Sequence, residues 1–151
     1  MHAGLLKIGE LAKQTGSQVE TIRYYEREGL LPAPARSEAN YRLYGASHAE
    51  RLQFIRHCRS LDMTLGEIRS LLSFRDAPEA SCSAVNALLD THIEHVATRI
   101  RELQALQKQL KGLRSLCHST QAVKDCEILQ TLAAPDGGVP VNLGTHGTGC
   151  H

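Results

Sequence analysis

Apolar residues recur at helical spacing in four short segments of this chain and then in one long one. Residues 8–15, 19–28, 48–61 and 65–74 each carry apolar positions three or four apart, the period of a helix with one buried face. Gly16 and Gly29 stand where helix C-caps are expected. Only Gly16-Ser17-Gln18 separates the first two helices, the short connection of a helix-turn-helix, and Ile8, Leu11, Ala12, Val19 and Ile22 supply their shared core. Three capping boxes, Ser17-Gln-Val-Glu20, Ser47-His-Ala-Glu50 and Thr64-Leu-Gly-Glu67, each set a hydroxyl before a helix and a glutamate three residues on. Thr91-His-Ile-Glu94 also matches, but inside the long helical stretch, so the pattern alone overcounts. Between the second and third helices, Pro32 and Pro34 bar a helix, and Tyr41-Arg-Leu-Tyr44 alternates as a strand does. A small two-stranded wing is the economical reading.

From about residue 82 to residue 116 the pattern is one helix. Steps of seven from Cys82 meet Leu89, Val96, Leu103, Leu110 and then Cys117, an apolar seam that begins and ends in sulfur. His92 and Arg99 interrupt it where Val85, Leu106 and Leu113 are the apolar equivalents, and the adjacent Ile93 and Ile100 take over. A helix this long with one apolar face needs a partner. The interval between the two thiols is roughly 52 Å at the α-helical rise, so they cannot meet within one chain. Two such helices packed antiparallel bring Cys82 of one chain beside Cys117 of the other, which predicts a homodimer. A loop over 118–125 leads to Cys126 and a short apolar segment, 128–132. The last seventeen residues hold five of the twelve glycines and read as a flexible tail.

The expected organisation is mainly α: a winged helix-turn-helix domain over 7–75, a dimerisation helix over 81–116, a loop with a short helix over 117–134, and the tail 135–151. Composition sharpens the division. The net charge of +1 combines +3 over residues 1–75 with −2 over 76–151, and all six aromatic residues, from Tyr24 to Phe74, fall in the first part. A mildly basic, tyrosine-containing half suits a nucleic-acid surface, although a charge of that size says little by itself. No apolar run reaches membrane length and no signal peptide is legible, so a cytoplasmic location without membrane attachment is expected. Five cysteines in a reducing compartment point to metal or redox chemistry more than to structural disulfides. No CxxC pair occurs, which argues against a zinc ribbon or a thioredoxin-type motif. With no catalytic triad, phosphate loop or paired-carboxylate cleft, an enzyme is not expected.

Residues 19–28 would be the recognition helix, with Thr21, Arg23, Tyr24 and Arg27 as DNA-contact candidates. Arginine reaches base edges in the major groove, while hydroxyls and amides grip phosphates. On the wing, Tyr41, Arg42 and Tyr44 are candidates for the flanking backbone, whereas Tyr25 reads as core. Cys117 and Cys126 flank an eight-residue loop, and the heptad register delivers Cys82 of a second chain to the same place. Three thiolates make a soft site that favours thiophilic ions over magnesium or calcium. Cys58 reads as a small buried hydrophobe, His92 and His95 as packing or surface residues, and His118 as a loop histidine beside the thiols.

The run Ile8-Gly-Glu-Leu-Ala-Lys, then Val19-Glu-Thr-Ile-Arg-Tyr-Tyr-Glu-Arg-Glu-Gly-Leu-Leu-Pro32, then Asn40-Tyr-Arg-Leu-Tyr44 resembles the MerR family of transcriptional regulators. The resemblance covers nearly all of residues 7–75 and continues through a dimerisation helix of the family's length. It implies a homodimer on promoter DNA whose −35 and −10 elements are too far apart. Effector binding then untwists and bends the DNA so that RNA polymerase engages both elements. In the family's metal sensors, a cysteine at the position of Cys82 separates sensors of divalent ions from the copper branch, which carries serine there. Arg56-His-Cys-Arg-Ser-Leu-Asp-Met63, Val85-Asn-Ala-Leu-Leu-Asp90 and His92-Ile-Glu-His-Val96 resemble the cadmium- and lead-responsive branch. Glu127 follows Cys126 where a mercury sensor would be expected to carry proline. The resemblance thus implies Pb(II) or Cd(II) as effector, with Hg(II) and Zn(II) weaker, bound by Cys82, Cys117 and Cys126. It also implies activation of a resistance or efflux operon.

Cadmium sensors of this branch often have histidine-rich tails. His146, Cys150 and His151 therefore form either a second, weaker site or a disordered end with incidental ligands. A thiol redox switch on the same frame, through a Cys117–Cys126 disulfide or one between Cys82 of one chain and Cys117 of the other, stays open beside the metal reading, as does simple metal sequestration.

Overall fold

The computed structural model describes residues 4–118 and 120–135; the tail histidines and Cys150 lie outside the described residues. The order of elements is α1 (Ile8–Thr15), α2 (Val19–Arg27), β1 (Ala35–Arg36), β2 (Arg42–Leu43), α3 (Ala46–Ser60), α4 (Leu65–Arg75), α5 (Ser83–Arg114) and α6 (Glu127–Ala133), with a 3₁₀ turn at Val123–Asp125. The chain is mainly helical, as its periodicity predicts, and the helix bounds agree with the sequence reading to within two residues. Two compact units divide it, residues 1–92 and 93–151.

The first unit contains the helix-turn-helix and the wing. Leu11, Ile22, Leu30, Leu52, Ile55, Ile68 and Leu72 are almost wholly buried and form one core across α1 to α4, with Val85 and Leu88 of α5 packed against it. Cys58 is buried in the same core, and burial pushes its thiol pKa up, as expected for an inert apolar cysteine. The wing strands are antiparallel, with Ala35 opposite Leu43 and Arg36 opposite Arg42. Leu6 and Tyr44 exchange two backbone hydrogen bonds of 2.8 Å, which pins the segment before α1 to the wing.

Helix starts depart from the capping boxes at two of three sites. Thr64 caps α4 as expected: its hydroxyl accepts from the Glu67 amide and the Glu67 carboxylate accepts from the Thr64 amide, each at 3.1 Å. At α2 the N-cap is Gln18, because the Ser17 amide already turns back to the Ala12 carbonyl at 3.0 Å. At α3 the helix begins at Ala46, and His48 does the capping. Its Nδ1 accepts from the Gly45 amide at 3.1 Å while Nε2 faces the Pro32 carbonyl at 3.2 Å, so the proton belongs on Nε2.

The turn between α1 and α2 depends on Gly16, which adopts a left-handed φ of 65° as the C-cap of α1. Arg56 of α3 donates to the Thr15 carbonyl at 2.5 Å, and its guanidinium occupies the space where a Cβ on residue 16 would point. Conformation and crowding thus require glycine together. His92 is a second surprise. It is buried in the first unit, with Nε2 2.8 Å from the Leu61 carbonyl, and Nδ1 2.8 Å from a Glu67 oxygen at an angle outside a hydrogen bond. It is therefore a tether of α5 to the end of α3, more specific than packing or surface.

Along α5 the seam residues are exposed: Leu89, Ile93, Val96, Ile100, Leu103 and Leu110 range from 38% to 61% accessible. Gly16→Ala is expected to lower stability by about 1–3 kcal/mol, the cost of a left-handed non-glycine residue with displacement of Arg56. Chemical unfolding monitored by circular dichroism measures it.

Candidate nucleic-acid interface and thiol site

Helix α2 presents one face outward. Thr21 and Arg23 are half-buried, Tyr24 and Arg27 exposed. Arg23 pairs with Glu20 one turn earlier at 2.8 Å, a surface contact that DNA phosphates would readily replace. On the wing, Tyr41 is exposed with the Lys7 ammonium 5.1 Å from its ring centroid, and Arg42 is half-buried. Arg36, directly across from Arg42, adds a cation that sequence reasoning did not single out.

Tyr44 is placed differently from the expectation. It is fully buried, and its hydroxyl donates to Glu26 Oε1 at 2.6 Å. Burial first, and then the bond to Glu26, push its pKa well above the usual tyrosine range, so it stays a donor. Tyr44 supports the wing from within and offers no surface to DNA. The residue it meets was missed. Glu26 also lies 3.8 Å from Arg42, so one carboxylate joins the recognition helix to β2. The signal was there in the spacing: Val19, Ile22 and Glu26 follow the three-four rhythm of the buried stripe, with an acid in the third apolar place. A charge on that stripe needs buried partners.

The three thiols divide between the units. Cys82, exposed, immediately precedes α5 in the first unit. Cys117 and Cys126, both half-buried, belong to the second. The Cys117 carbonyl accepts from Arg114 at 2.6 Å, which ties the loop to the last turn of α5. Cys126 precedes α6, and its carbonyl accepts from the Gln130 amide at 3.1 Å. Neither unit holds all three. As a donor set, three accessible sulfurs suit a soft ion and no hard one. His118 is exposed on the same loop.

A helix-turn-helix head with a two-stranded wing, carrying a long helix with an open apolar seam, defines a winged-helix DNA-binding regulator. Residues 6–74 match the family described as MerR HTH family regulatory protein, and residues 49–113 match MerR, DNA binding; the chain belongs to the MerR family of transcriptional regulators. It is 50% identical over 109 residues to the HTH-type transcriptional regulator ZntR homolog of Haemophilus influenzae, covering 72% of this chain and 81% of that one. The crystal structure of PbrR691 from Ralstonia metallidurans CH34 in complex with lead(II) is 54% identical, with a TM-score of 0.75 over 85% of this chain and 99% of that chain. MerR from Bacillus megaterium MB1, in complex with mercury(II), is 35% identical, with a TM-score of 0.66 over 85% and 100%. These relatives are transcriptional regulators and not enzymes, and this chain is a metal-responsive regulator of the same type. No helix among the described residues is long and apolar enough to cross a membrane.

Two substitutions separate contact from support. Arg23→Ala is expected to weaken operator binding by about 1–3 kcal/mol while thermal stability holds, read by fluorescence anisotropy against melting. Tyr44→Phe is expected to do the reverse in order of cause. It leaves Glu26 without its donor and costs about 1–2 kcal/mol of folding stability, and operator binding weakens only as the wing loosens.

Proposed function

We propose that this regulator binds promoter DNA as a homodimer in the cytoplasm and activates a heavy-metal resistance or efflux operon in response to Pb(II) or Cd(II). The ion is held by Cys82 of one protomer with Cys117 and Cys126 of the partner subunit. The observation that carries this reading is the apolar seam on α5, exposed in the single chain and bounded in sequence by Cys82 and Cys117. An antiparallel partner buries the seam and completes a three-sulfur set at each end. Lead is favoured by the 54% identity to the lead-bound PbrR691. The ZntR homolog and the mercury-bound MerR make Zn(II) and Hg(II) the second reading of the effector.

The chain's own residues carry the rest of the mechanism. Thr21, Arg23, Tyr24 and Arg27 of α2 enter the major groove, while Tyr41 and Arg42 of the wing hold the flanking phosphates. The thiolates close the loop around residues 117–126 on the helix end that carries Cys82. That closure fixes the angle of the two reading heads and so the twist of the DNA between the promoter elements, on which RNA polymerase acts. Magnitudes permit it. Thiolate coordination of a metal yields on the order of 10 kcal/mol, whereas bending a short DNA site costs about 1–6 kcal/mol.

Anaerobic titration of the reduced protein with Pb(II) or Cd(II) is expected to give a thiolate-to-metal absorption band that saturates at one ion per subunit. Cys82→Ser is expected to abolish induction of a promoter-linked reporter and to leave operator binding intact. Retained induction would overturn the shared site. A silent titration, with induction by oxidant instead, would establish the thiol redox switch.

A further inference from the structure

One arginine in the first unit joins the two regions that such a mechanism has to couple. Arg51 of α3 donates through Nε to the Leu30 carbonyl at 2.8 Å, and through its two terminal nitrogens to the two Asp76 carboxylate oxygens at 3.0 and 3.2 Å. Leu30 lies just past the recognition helix; it is buried, and its own amide is bound to the Tyr25 carbonyl at 2.9 Å. Asp76 is the C-cap of α4 and the first residue of the short connector that ends at Cys82. A single planar side chain therefore spans from the backbone behind the DNA-reading helix to the root of the thiol-bearing segment.

The geometry sets this contact apart from its neighbours. Arg75–Glu50 is an ion pair of 3.6 Å between side chains exposed on both sides, the kind that contributes little. Arg69 also donates to the Glu28 carbonyl, at 2.9 Å, but it reaches the Glu28 carboxylate only at 3.6 Å and, among the described residues, makes no polar contact with the connector after α4. Arg51 is only 21% exposed, its fork is bidentate, and a third N–H is committed to a backbone carbonyl. The bond from Arg51 also holds the Asp76 carboxyl below the usual carboxylate range, so the pair stays ionised at neutral pH. Lysine offers a point charge and cannot serve the Leu30 carbonyl and both carboxylate oxygens together.

We propose that Arg51 and Asp76 are positioning residues for the metal-dependent step, fixing how the segment that carries Cys82 leaves the DNA-reading head. The proposal rests on the metal-sensing function above. His92, Val85 and Leu88 still hold the start of α5 on the head without the clamp, but the connector at Asp76 turns freely, and much of the closure of the thiol site is lost before it reaches the DNA-reading helix.

The test uses the full-length dimer as wild type, Arg51→Lys, Asp76→Asn and the double variant. Cd(II) affinity is read from the thiolate band, apo operator affinity from anisotropy, operator distortion from 2-aminopurine at the spacer centre, and induction from transcription with and without Cd(II). Both single variants are expected to keep metal and apo operator affinity within about twofold, while the induction ratio and the metal-dependent distortion signal fall about tenfold. The double variant is expected to fall no further than the singles, because both break one contact. Unchanged induction and distortion in the single variants would overturn the proposal. So would a loss of operator affinity that tracks melting temperature, since that is the signature of a merely structural pair. If the wild type itself binds no Cd(II) or shows no induction, the metal-sensing reading falls, and this inference with it.

Discussion

A helix that cannot bury its own apolar face constrains everything else in this protein. Residues 83–114 form one helix, and six large apolar side chains from Leu89 to Leu110 lie exposed along it. Fully burying an exposed side chain of this size is worth about 1.5–3 kcal/mol, so these half-exposed ones each gain roughly half of that, and two copies double the number buried. Register then follows from the heptad spacing, because a partner that slips by one residue loses the seam. Chemistry follows from register. Thiols bounding a 32-residue helix become neighbours only across an antiparallel pair. The proposed sensor is thus a by-product of packing.

The DNA-reading head is built to move as one piece. Its core runs through α1 to α4 without interruption. Over that core lie polar ties between elements: Glu26 between α2 and the wing, Arg56 between α3 and the helix-turn-helix, His92 between α5 and the end of α3, and Arg51 between α3 and both flanking segments. Fixed side-chain networks of this kind add specificity of arrangement more than raw stability. The proposed change in DNA twist requires a head that rotates as a body when α5 is pushed, and a head held this firmly meets that requirement.

How much of this was legible beforehand depends on range. Helices, the wing and the glycine caps were readable because each is written within a few neighbouring residues, as apolar spacing, proline placement and Gly16 show. Of the three N-terminal capping boxes, one was read correctly. The Thr64 box forms, but Ser17 is overridden by the tight turn at Gly16, and Ser47 by an imidazole that caps from one residue further on. The candidate DNA face was legible as residue types on a helix, except that Tyr44, grouped with its neighbours by motif, turned inward. What sequence did not display were the ties. Tyr44–Glu26, Arg51–Asp76 and His92–Leu61 join residues 18, 25 and 31 positions apart, and no local rule pairs them.

The strength of the seam also decides where the metal's binding free energy goes. A ligand that binds only an assembled dimer stabilises the dimer by mass action. Were the seam weak, coordination would be consumed in holding two chains together, and the ion would act as an assembly switch. In the function proposed above, a seam of six large apolar residues per chain is strong enough to join the dimer before the ion arrives. In that proposed mechanism coordination acts on a pair already joined along α5, and the degrees of freedom left to it are the thiol loop and the connector between Asp76 and Cys82. Those degrees of freedom lead to the DNA. A strong apolar interface is therefore what allows a modest ion to serve as a conformational effector.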